Sequence, residues 1–306
     1  MMNFIIKSFF KDSTVKTFFI TRLAANEIEE KVYFKKDEHL LDITHDHSMI
    51  CLDPFCIAVW LPAEQANTID TGIADIHFKK GDHLNAVINV RLIETRQTEN
   101  GVLFLYEVKK VKNRQFSALH RLLLFSYLLR SKKNTYYSRK VISALYSYPR
   151  RIIIVSYKDD EYYNIFPMDI QGCITRDNLY LLGLRTTNAT LDKILKARKV
   201  VIADTDKVDI NTVYNLGKHS GSSPVPENEL PFSTTESELF GFPVPAFSGS
   251  YQEVEIISHR KMGYHMLMVG KVINFKEINP QRTSLYHVGF LQFKKSGYTN
   301  QIDGLF

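Results

Sequence analysis

The sequence has few cysteines, no long apolar run and no uninterrupted apolar leader. Its three cysteines, Cys51, Cys56 and Cys173, form no C-x-x-C pair, which predicts a reducing compartment without a disulfide framework. The stretch nearest to a membrane span, the Leu-rich run 122–129, is much shorter than the roughly 20 residues that span a bilayer. Two lysines interrupt the apolar residues of the N-terminus, unlike the core of a signal peptide. We therefore expect a cytoplasmic protein without a membrane span.

The chain also lacks the spacing of a P-loop, of a zinc module and of a nucleophilic triad. His45, His47, Cys51 and Cys56 lie close together, but their spacing matches no standard zinc site. The two cysteines lie in apolar, strand-like runs, which favours buried neutral thiols over metal ligands. We expect no metal site.

Acidic residues are missing from one long segment. Between Lys109 and Arg151 there are twelve Lys and Arg and no Asp or Glu, whereas the whole chain has a formal net charge of +6. Such a segment is typical of a surface for nucleic acid or anionic membrane, or of a solvated basic helix. No nucleic-acid-binding motif accompanies the charge, so we do not expect a nucleic-acid partner.

A length of 306 residues predicts two domains, and an apolar content of 44% is typical of globular proteins. Residues 1–140 contain short runs rich in β-branched and aromatic residues, followed by a Leu-rich basic helix. Residues 141–306 contain a second set of such runs, separated by small helices. The pattern predicts a mainly β fold with short helices and two barrel-like domains, the first of which ends in the basic helix.

The second domain has signals for two helices and one long loop. Apolar residues at i, i+3 and i+4 from Leu191 predict an amphipathic helix. A second short helix is predicted after Asp209, as its N-cap, and before Gly217, which would end it. Residues 220–249 hold five of the ten prolines and predict an irregular loop. Loops of this length in compact domains are usually functional.

The stretch "GLRTTNATL" places Arg185, Thr186, Thr187, Asn188 and Thr190 directly before the first of these helices. Hydroxyl and amide side chains are good N-caps, but a cap needs only one of them. A guanidinium, hydroxyls and unpaired amides at the start of a helix also bind phosphate. The residues alone leave both interpretations open.

Four short motifs follow one another between residues 149 and 300. They are Asn-x-x-Pro at 164–167, Arg-x-Thr with a further Thr at 185–190, Gly-x-His-Ser-Gly at 217–221 and Gly-x-His-x-Leu at 263–267. In this order they resemble the flavin reductase-like, FMN-binding split-barrel family, over about half of the chain. The resemblance implies an FMN-binding split β-barrel, preceded by a second small barrel-like domain.

The resemblance also implies an FMN-binding oxidoreductase that transfers hydride from NADH or NADPH to flavin. In that family the region before the helix holds the flavin phosphate and the Asn-x-x-Pro loop lies along the isoalloxazine ring. Its members are usually homodimers. His219 is the candidate that would face the nicotinamide or the flavin. The implied cofactor-binding residues are Asn164, Phe166, Pro167, Met168, Asp169, Arg185, Thr186, Thr187, Thr190, Lys193, His219 and Ser220.

The sequence departs from the family pattern just after Pro167, where Met168 and Asp169 stand in place of the frequent Ser or Thr. An aspartate beside an electron-rich reduced flavin is electrostatically unfavourable unless it points away. A non-catalytic flavin- or nucleotide-binding sensor, or a pure interaction protein, therefore stays an alternative. The first domain is only faintly similar to a PilZ domain, and a degenerate second split barrel fits it equally well.

Overall fold

The computed structural model describes residues 18–67, 72–118, 122, 142, 145–219, 224–289, 298 and 302–305. β-Strands and a few short helices account for the regular structure of these residues, which confirms the predicted mainly β fold. Their strand pairs are antiparallel. The predicted basic helix, 114–133, lies mostly outside the described residues.

Seven strands from the first half of the chain form one sheet, in the order β3-β2-β6-β7-β8-β5-β4. Side chains from six of these strands meet in a single apolar core, which includes Phe34, Ile76 and Tyr106. The strands are β2 (Glu30–Lys36), β3 (His39–Asp42), β4 (His47–Leu52), β5 (Phe55–Pro62), β6 (Ile73–Lys80), β7 (His83–Gln97) and β8 (Gly101–Asn113).

A second seven-stranded sheet has the order β11-β10-β14-β17-β18-β13-β12 and its own core, which includes Val155, Phe166 and Val254. The helices Leu191–Ala197 and Ile210–His219 connect its strands. The strands are β10 (Ile153–Lys158), β11 (Tyr163–Met168), β12 (Gln171–Ile174), β13 (Leu179–Arg185), β14 (Lys199–Ala203), β17 (Ser250–Met262) and β18 (His265–Glu277).

Two smaller sheets complete the strand pairing. One has the order β20-β1-β19-β9, and the other is the pair β15-β16. A single-turn helix, Ala63–Ala66, follows β5, and three 3₁₀ turns lie at 25–27, 175–177 and 227–229. The strands are β1 (Phe18–Leu23), β9 (Arg150–Arg151), β15 (Thr234–Glu236), β16 (Pro243–Pro245), β19 (Ser284–Gly289) and β20 (Ile302–Leu305).

The two large sheets pack against each other through β5. Its residues alternate between opposite sides, because successive side chains of a strand point to opposite faces. Ile57, Val59 and Leu61 lie in the core of the first sheet. Cys56, Ala58 and Trp60 lie in a separate apolar cluster with side chains of β12, β13, β17 and β18. The continuous apolar run of β5 therefore reflects burial on both faces.

Several local predictions need correction. The helix predicted to end at Gly217 continues to His219, although Asp209 does accept a hydrogen bond from the amide of Thr212, as an N-cap would. The segment Ile73–Lys80, which the sequence analysis did not assign, is β6. The proline-rich loop contains the β15-β16 pair. Each of these local signals was weaker than the tertiary contacts that decide the structure.

The proposed domain boundary near residue 140 stays a prediction. β1 precedes that boundary, but it pairs with β19 and β20, which follow it. The guanidinium of Arg22 on β1 donates hydrogen bonds to the carbonyl oxygens of Thr205, Asp206 and Val208. The first strand of the described chain is thus bound to its last third. Within the described ranges, no helix is long and apolar enough to cross a membrane.

The turn between β17 and β18 makes a close contact with the first sheet. Gly263 has φ +54°, and a Cβ at this position would overlap the carbonyl oxygen of Asp53. Gly81, in the turn between β6 and β7, also has φ +54°, but a Cβ there would meet no atom within 4 Å. The two glycines therefore share a backbone conformation and differ in their surroundings.

We predict that Gly81→Ala lowers the free energy of unfolding by about 1 to 2 kcal/mol, since L-residues are strained at this φ. Gly263→Ala should lower the free energy of unfolding by about 1 to 3 kcal/mol more than Gly81→Ala does, because the added methyl group also overpacks the contact with Asp53. Chemical denaturation of both variants measures the difference. Equal losses would contradict a tight contact between the two sheets.

Candidate flavin site

Half of the twelve predicted cofactor-binding residues line one cavity of about 260 Å³, here called the Arg185 cavity. It lies where the end of β11 and the end of β13 meet the helix Ile210–His219. The predicted residues in its wall are Phe166, Pro167, Met168, Asp169, Arg185 and Thr187. Residues 164–169 and 185–187 are thus brought together by the fold, although they are about 20 residues apart in the chain.

Arg185 and Thr187 present hydrogen-bond donors at the cavity. Both residues are exposed, and neither side chain forms a hydrogen bond or ion pair with the described part of the chain. The backbone amides of Thr187 and Ala189 likewise have no acceptor among the described residues. A guanidinium, a hydroxyl and unpaired backbone amides are donors that bind phosphate groups. The residues present therefore fit the phosphate of a flavin mononucleotide.

Asn164 and Thr190 form a buried pair outside the cavity wall. The amide nitrogen of Asn164 donates to the hydroxyl of Thr190 over 2.7 Å, and the hydroxyl of Tyr162 lies 3.0 Å from the same oxygen. Thr190 stands at the N-cap position of the helix Leu191–Ala197, but its side chain makes no capping bond. Instead, the side-chain oxygen of Asn188 accepts a hydrogen bond from the amide of Thr190 over 2.8 Å. These contacts connect β11 to the start of the helix.

Thr186 and Lys193 also lie outside the wall of the cavity. The amide of Thr186 donates to the carbonyl oxygen of Tyr264 over 2.9 Å, which attaches the end of β13 to the β17–β18 turn. The ammonium of Lys193 lies 3.7 Å from a carboxylate oxygen of Asp159 and 4.5 Å from the centre of the Tyr162 ring. The flavin-binding roles of these two residues stay predictions.

The predicted roles of His219 and Ser220 fall on side chains outside the described part of the structure. The backbone of His219 ends the helix Ile210–His219, and its side chain lies outside the described part of the structure. Ser220 lies entirely outside the described residues. Gly217, two residues before His219, does line the cavity, and a Cβ at this position would come within 3.3 Å of the Pro167 ring. The helix backbone thus closes one side of the cavity against Pro167.

Asp169 is held by two basic side chains. One of its carboxylate oxygens, Oδ2, lies 2.8 Å from the guanidinium of Arg150 and 2.7 Å from Nδ1 of His287. Nε2 of His287 in turn lies 2.7 Å from the hydroxyl of Tyr214. Burial would raise the pKa of the Asp169 carboxyl, but Arg150, His287 and Arg185 outweigh that effect and hold the pKa well below its usual value.

The contacts of Asp169 reduce the unfavourable electrostatic effect that an aspartate has on a neighbouring reduced flavin. Asp169 is ionised, but its charge is compensated by Arg150 and by Arg185, and its Oδ2 atom is engaged by Arg150 and His287. A neighbouring cation offsets the unfavourable effect of a carboxylate on a reduced ring. The departure from the family pattern at this position therefore does not exclude electron transfer.

Several residues that line the cavity were not among the twelve predicted cofactor-binding residues, although Asn188 belongs to the run that the sequence left open as a phosphate site. Asn188 and Gly183 belong to the quoted run, and His265 follows the Gly263 turn, paired in register with Arg185. Gly183 and Asn188 could have been predicted from their positions next to the Arg-x-Thr motif, and His265 from its place in the Gly-x-His-x-Leu motif. Leu52 comes from β4 of the first sheet, more than 100 residues earlier, and no local pattern predicts its presence.

No protein-family model matches the chain, and no curated protein matches it. Solved structures do match about half of it. An FMN-binding protein from Thermus thermophilus is 22% identical, with 47% of this chain and 84% of that chain covered and a TM-score of 0.42. The NADH:FAD oxidoreductase of Streptomyces globisporus C-1027 is 14% identical, with 50% and 90% covered and a TM-score of 0.42.

A flavoredoxin from Methanosarcina acetivorans is 12% identical, with 46% of this chain and 86% of that chain covered and a TM-score of 0.39. The predicted resemblance to flavin reductase-like, FMN-binding split-barrel proteins is confirmed. At these identities the similarity concerns the fold, and the role of each residue depends on the geometry of the site itself.

The Asp169 network predicts a specific pH dependence of stability. The pKa of Asp169 is lower in the folded protein than the value of about 4 that an unfolded aspartate has. The stabilisation that the ionised Asp169 carboxylate gives to the folded protein is therefore complete above about pH 4 and is lost as the pH falls towards the folded-state pKa. Asp169→Asn should lower the free energy of unfolding by about 2 kcal/mol at pH 7, and by much less at pH 2, which is closer to the folded-state pKa.

Denaturation of wild type and Asp169→Asn at both pH values measures this difference. Asp160→Asn is the control, because Asp160 is exposed and forms no hydrogen bond or ion pair with the described residues. A loss in Asp169→Asn that is the same at pH 7 and pH 2 would contradict the ionised network.

Proposed function

We propose that the chain is a flavin-dependent oxidoreductase that binds FMN in the Arg185 cavity and takes hydride from NADH or NADPH. The observation that carries this proposal is that Phe166, Pro167, Arg185 and Thr187 line one cavity, whose wall thus combines hydrogen-bond donors with apolar groups. The similar solved structures include an FMN-binding protein and an NADH:FAD oxidoreductase, which supports a flavin and a nicotinamide donor.

Arg185 and Thr187 would hold the flavin phosphate. Phe166, Pro167 and Met168 would lie along the ring, where the backbone of β11 and an apolar surface orient it. A bound flavin supplies the hydride and electron chemistry, whereas the protein contributes binding, orientation and electrostatics. Asp169, fixed by Arg150 and His287, would set the charge at the ring edge.

A homodimer and a cytoplasmic location belong to the same proposal. The β17–β18 hairpin and the residue after it expose apolar side chains, including Ile257 at 46%, Phe275 at 48% and Ile278 at 56%. Scattered exposed apolar residues are normal, but several along one hairpin favour a contact between proteins. This hairpin is where a second copy of the chain would pack.

The alternative is a protein that binds a flavin or nucleotide without turning it over. The Asp169 carboxylate at the cavity, which stands where the family often has Ser or Thr, is the observation that favours it. Binding experiments on Arg185 test the site that both functions share, and nicotinamide-dependent reduction separates them.

We predict that Arg185→Gln weakens FMN binding at least tenfold, because a charge-assisted hydrogen bond to phosphate contributes about 1.5 to 3 kcal/mol and each 1.4 kcal/mol corresponds to a factor of ten. Riboflavin has the same ring and no phosphate, so its affinity should hardly change. Fluorescence titration of both flavins with wild type and variant measures the two effects.

Lys196→Gln is a matched control, since it removes one positive charge from an exposed position on the neighbouring helix. Its FMN affinity should equal that of wild type. A riboflavin affinity that falls as much as the FMN affinity in Arg185→Gln would overturn the phosphate assignment.

A further inference from the structure

A second and larger cavity lies between the two seven-stranded sheets. Its volume is about 480 Å³, and we call it the Arg151 cavity. Small-molecule sites usually measure about 300 to 1,000 Å³ and often lie between domains. Residues before and within β4 form one side, and residues of β9, β12 and β13 form the other. Asp169 lines both this cavity and the Arg185 cavity.

The charged side chains of this cavity are not balanced. Arg150 and Arg151 line it together with a single carboxylate, that of Asp169. Arg150 is buried and lies 2.8 Å from Asp169, so these two charges compensate each other. His47 is also buried, and burial lowers its pKa to about 4, so it adds no charge at neutral pH. Arg151 is the other cation of the wall, and the carboxylate with which it forms an ion pair, that of Asp204, lies outside the wall.

The guanidinium of Arg151 has hydrogen-bond donors that are available to a ligand. Its Nε donates to the hydroxyl of Ser284 over 3.1 Å, which is the hydrogen bond that its guanidinium makes within the described part of the chain. The closest carboxylate oxygen, on Asp204, is 3.7 Å away. Asp204 is satisfied by other donors, since it accepts 2.7 Å hydrogen bonds from the amide of Gly249 and the hydroxyl of Ser250. The Arg151 side chain is 36% exposed, and besides this cavity it lines two neighbouring ones, of which one is also lined by Ser284 and the other by Asp204.

Four tyrosines contribute to the wall, and two of them are held in place by hydrogen bonds. The hydroxyl of Tyr146 donates to Nε2 of His47 over 2.6 Å, because Nδ1 of that ring donates to a backbone carbonyl. The hydroxyl of Tyr180 donates to Gln171 over 2.7 Å. Burial raises the pKa of each of the four phenols, which therefore stay neutral. The tyrosines are Tyr146, Tyr148, Tyr180 and Tyr286.

We propose that the Arg151 cavity binds a planar aromatic carboxylate. The guanidinium of Arg151 would pair with the carboxylate, for which its planar fork of donors is well matched. The tyrosine rings would pack around the aromatic ring, since aromatic side chains favour offset or edge-to-face contacts with other rings. This site is distinct from the Arg185 cavity, although Asp169 lines both, and the contacts proposed for the carboxylate involve no flavin.

Cys173 provides a reporter in the native protein. It is one of three cysteines in the chain, lines the Arg151 cavity and is partly exposed, whereas Cys51 and Cys56 are both fully buried. Burial raises the pKa of the Cys173 thiol, so alkylation by iodoacetamide is best followed at about pH 8.5, near the usual pKa of a thiol. The rate of modification then measures access to Cys173 from this cavity and from the neighbouring cavity that it also lines.

Benzoate is the probe. We expect saturating benzoate to slow the alkylation of Cys173 at least fivefold. Benzyl alcohol has a similar ring without the charge, and inorganic phosphate has the charge without the ring, so both should leave the rate within a factor of two. No protection by benzoate, or equal protection by benzyl alcohol or by phosphate, would overturn the proposal.

His45 allows a test of the charge without loss of packing, because it is exposed and lines this cavity but not the other cavity that Cys173 also lines. His45→Lys should strengthen benzoate protection about threefold and His45→Glu should weaken it about as much. Identical benzoate affinities in the two variants would contradict the proposal.

Arg151→Gln should abolish protection by benzoate and leave the affinity for FMN at the wild-type value. Protection that persists in a folded Arg151→Gln protein would overturn the assignment of Arg151. If FMN binding fails in wild type while benzoate protects Cys173, the flavin proposal falls and the Arg151 site stands. If FMN binds while benzoate does not protect, the reverse holds.

Discussion

The packing of the two seven-stranded sheets through β5 is the constraint on which the rest of the structure depends. Alternate residues of this strand serve two different cores, so neither sheet can be displaced without exposing one of them. Trp60 adds a directional contact, because its indole nitrogen donates to the buried carboxylate of Asp177 over 3.1 Å. The tight approach at Gly263 and the pairing of β1 with β19 connect the same two halves.

Both cavities arise from this packing. Leu52, at the end of β4, reaches the Arg185 cavity only because the first sheet lies against the second. The Arg151 cavity opens beside the same contact. Asp169 belongs to both walls, and its compensation by Arg150 and His287 allows a carboxylate to remain ionised there. The charge distribution of the candidate flavin site thus depends on residues from β9 and β19 that are remote in sequence.

The sequence predicted the fold class, most of the strands and the residues that follow one another in the cavity wall, such as Phe166 to Asp169. These depend on local periodicity and on motif order. It did not predict that Asn164 and Thr190 bind each other, because a hydrogen bond between β11 and a helix start depends on tertiary distance. For the same reason the sequence did not predict that Leu52 lines the cavity or that Arg150 and His287 bind Asp169.

The most direct measurement is the visible absorption spectrum of the protein loaded with FMN, recorded without oxygen before and after addition of NADH or NADPH. If the Arg185 cavity holds a flavin that accepts hydride, the flavin absorbance will fall with at least one of the two donors. A protein that takes up no FMN, or whose flavin absorbance persists with both donors, would contradict a flavin-dependent oxidoreductase.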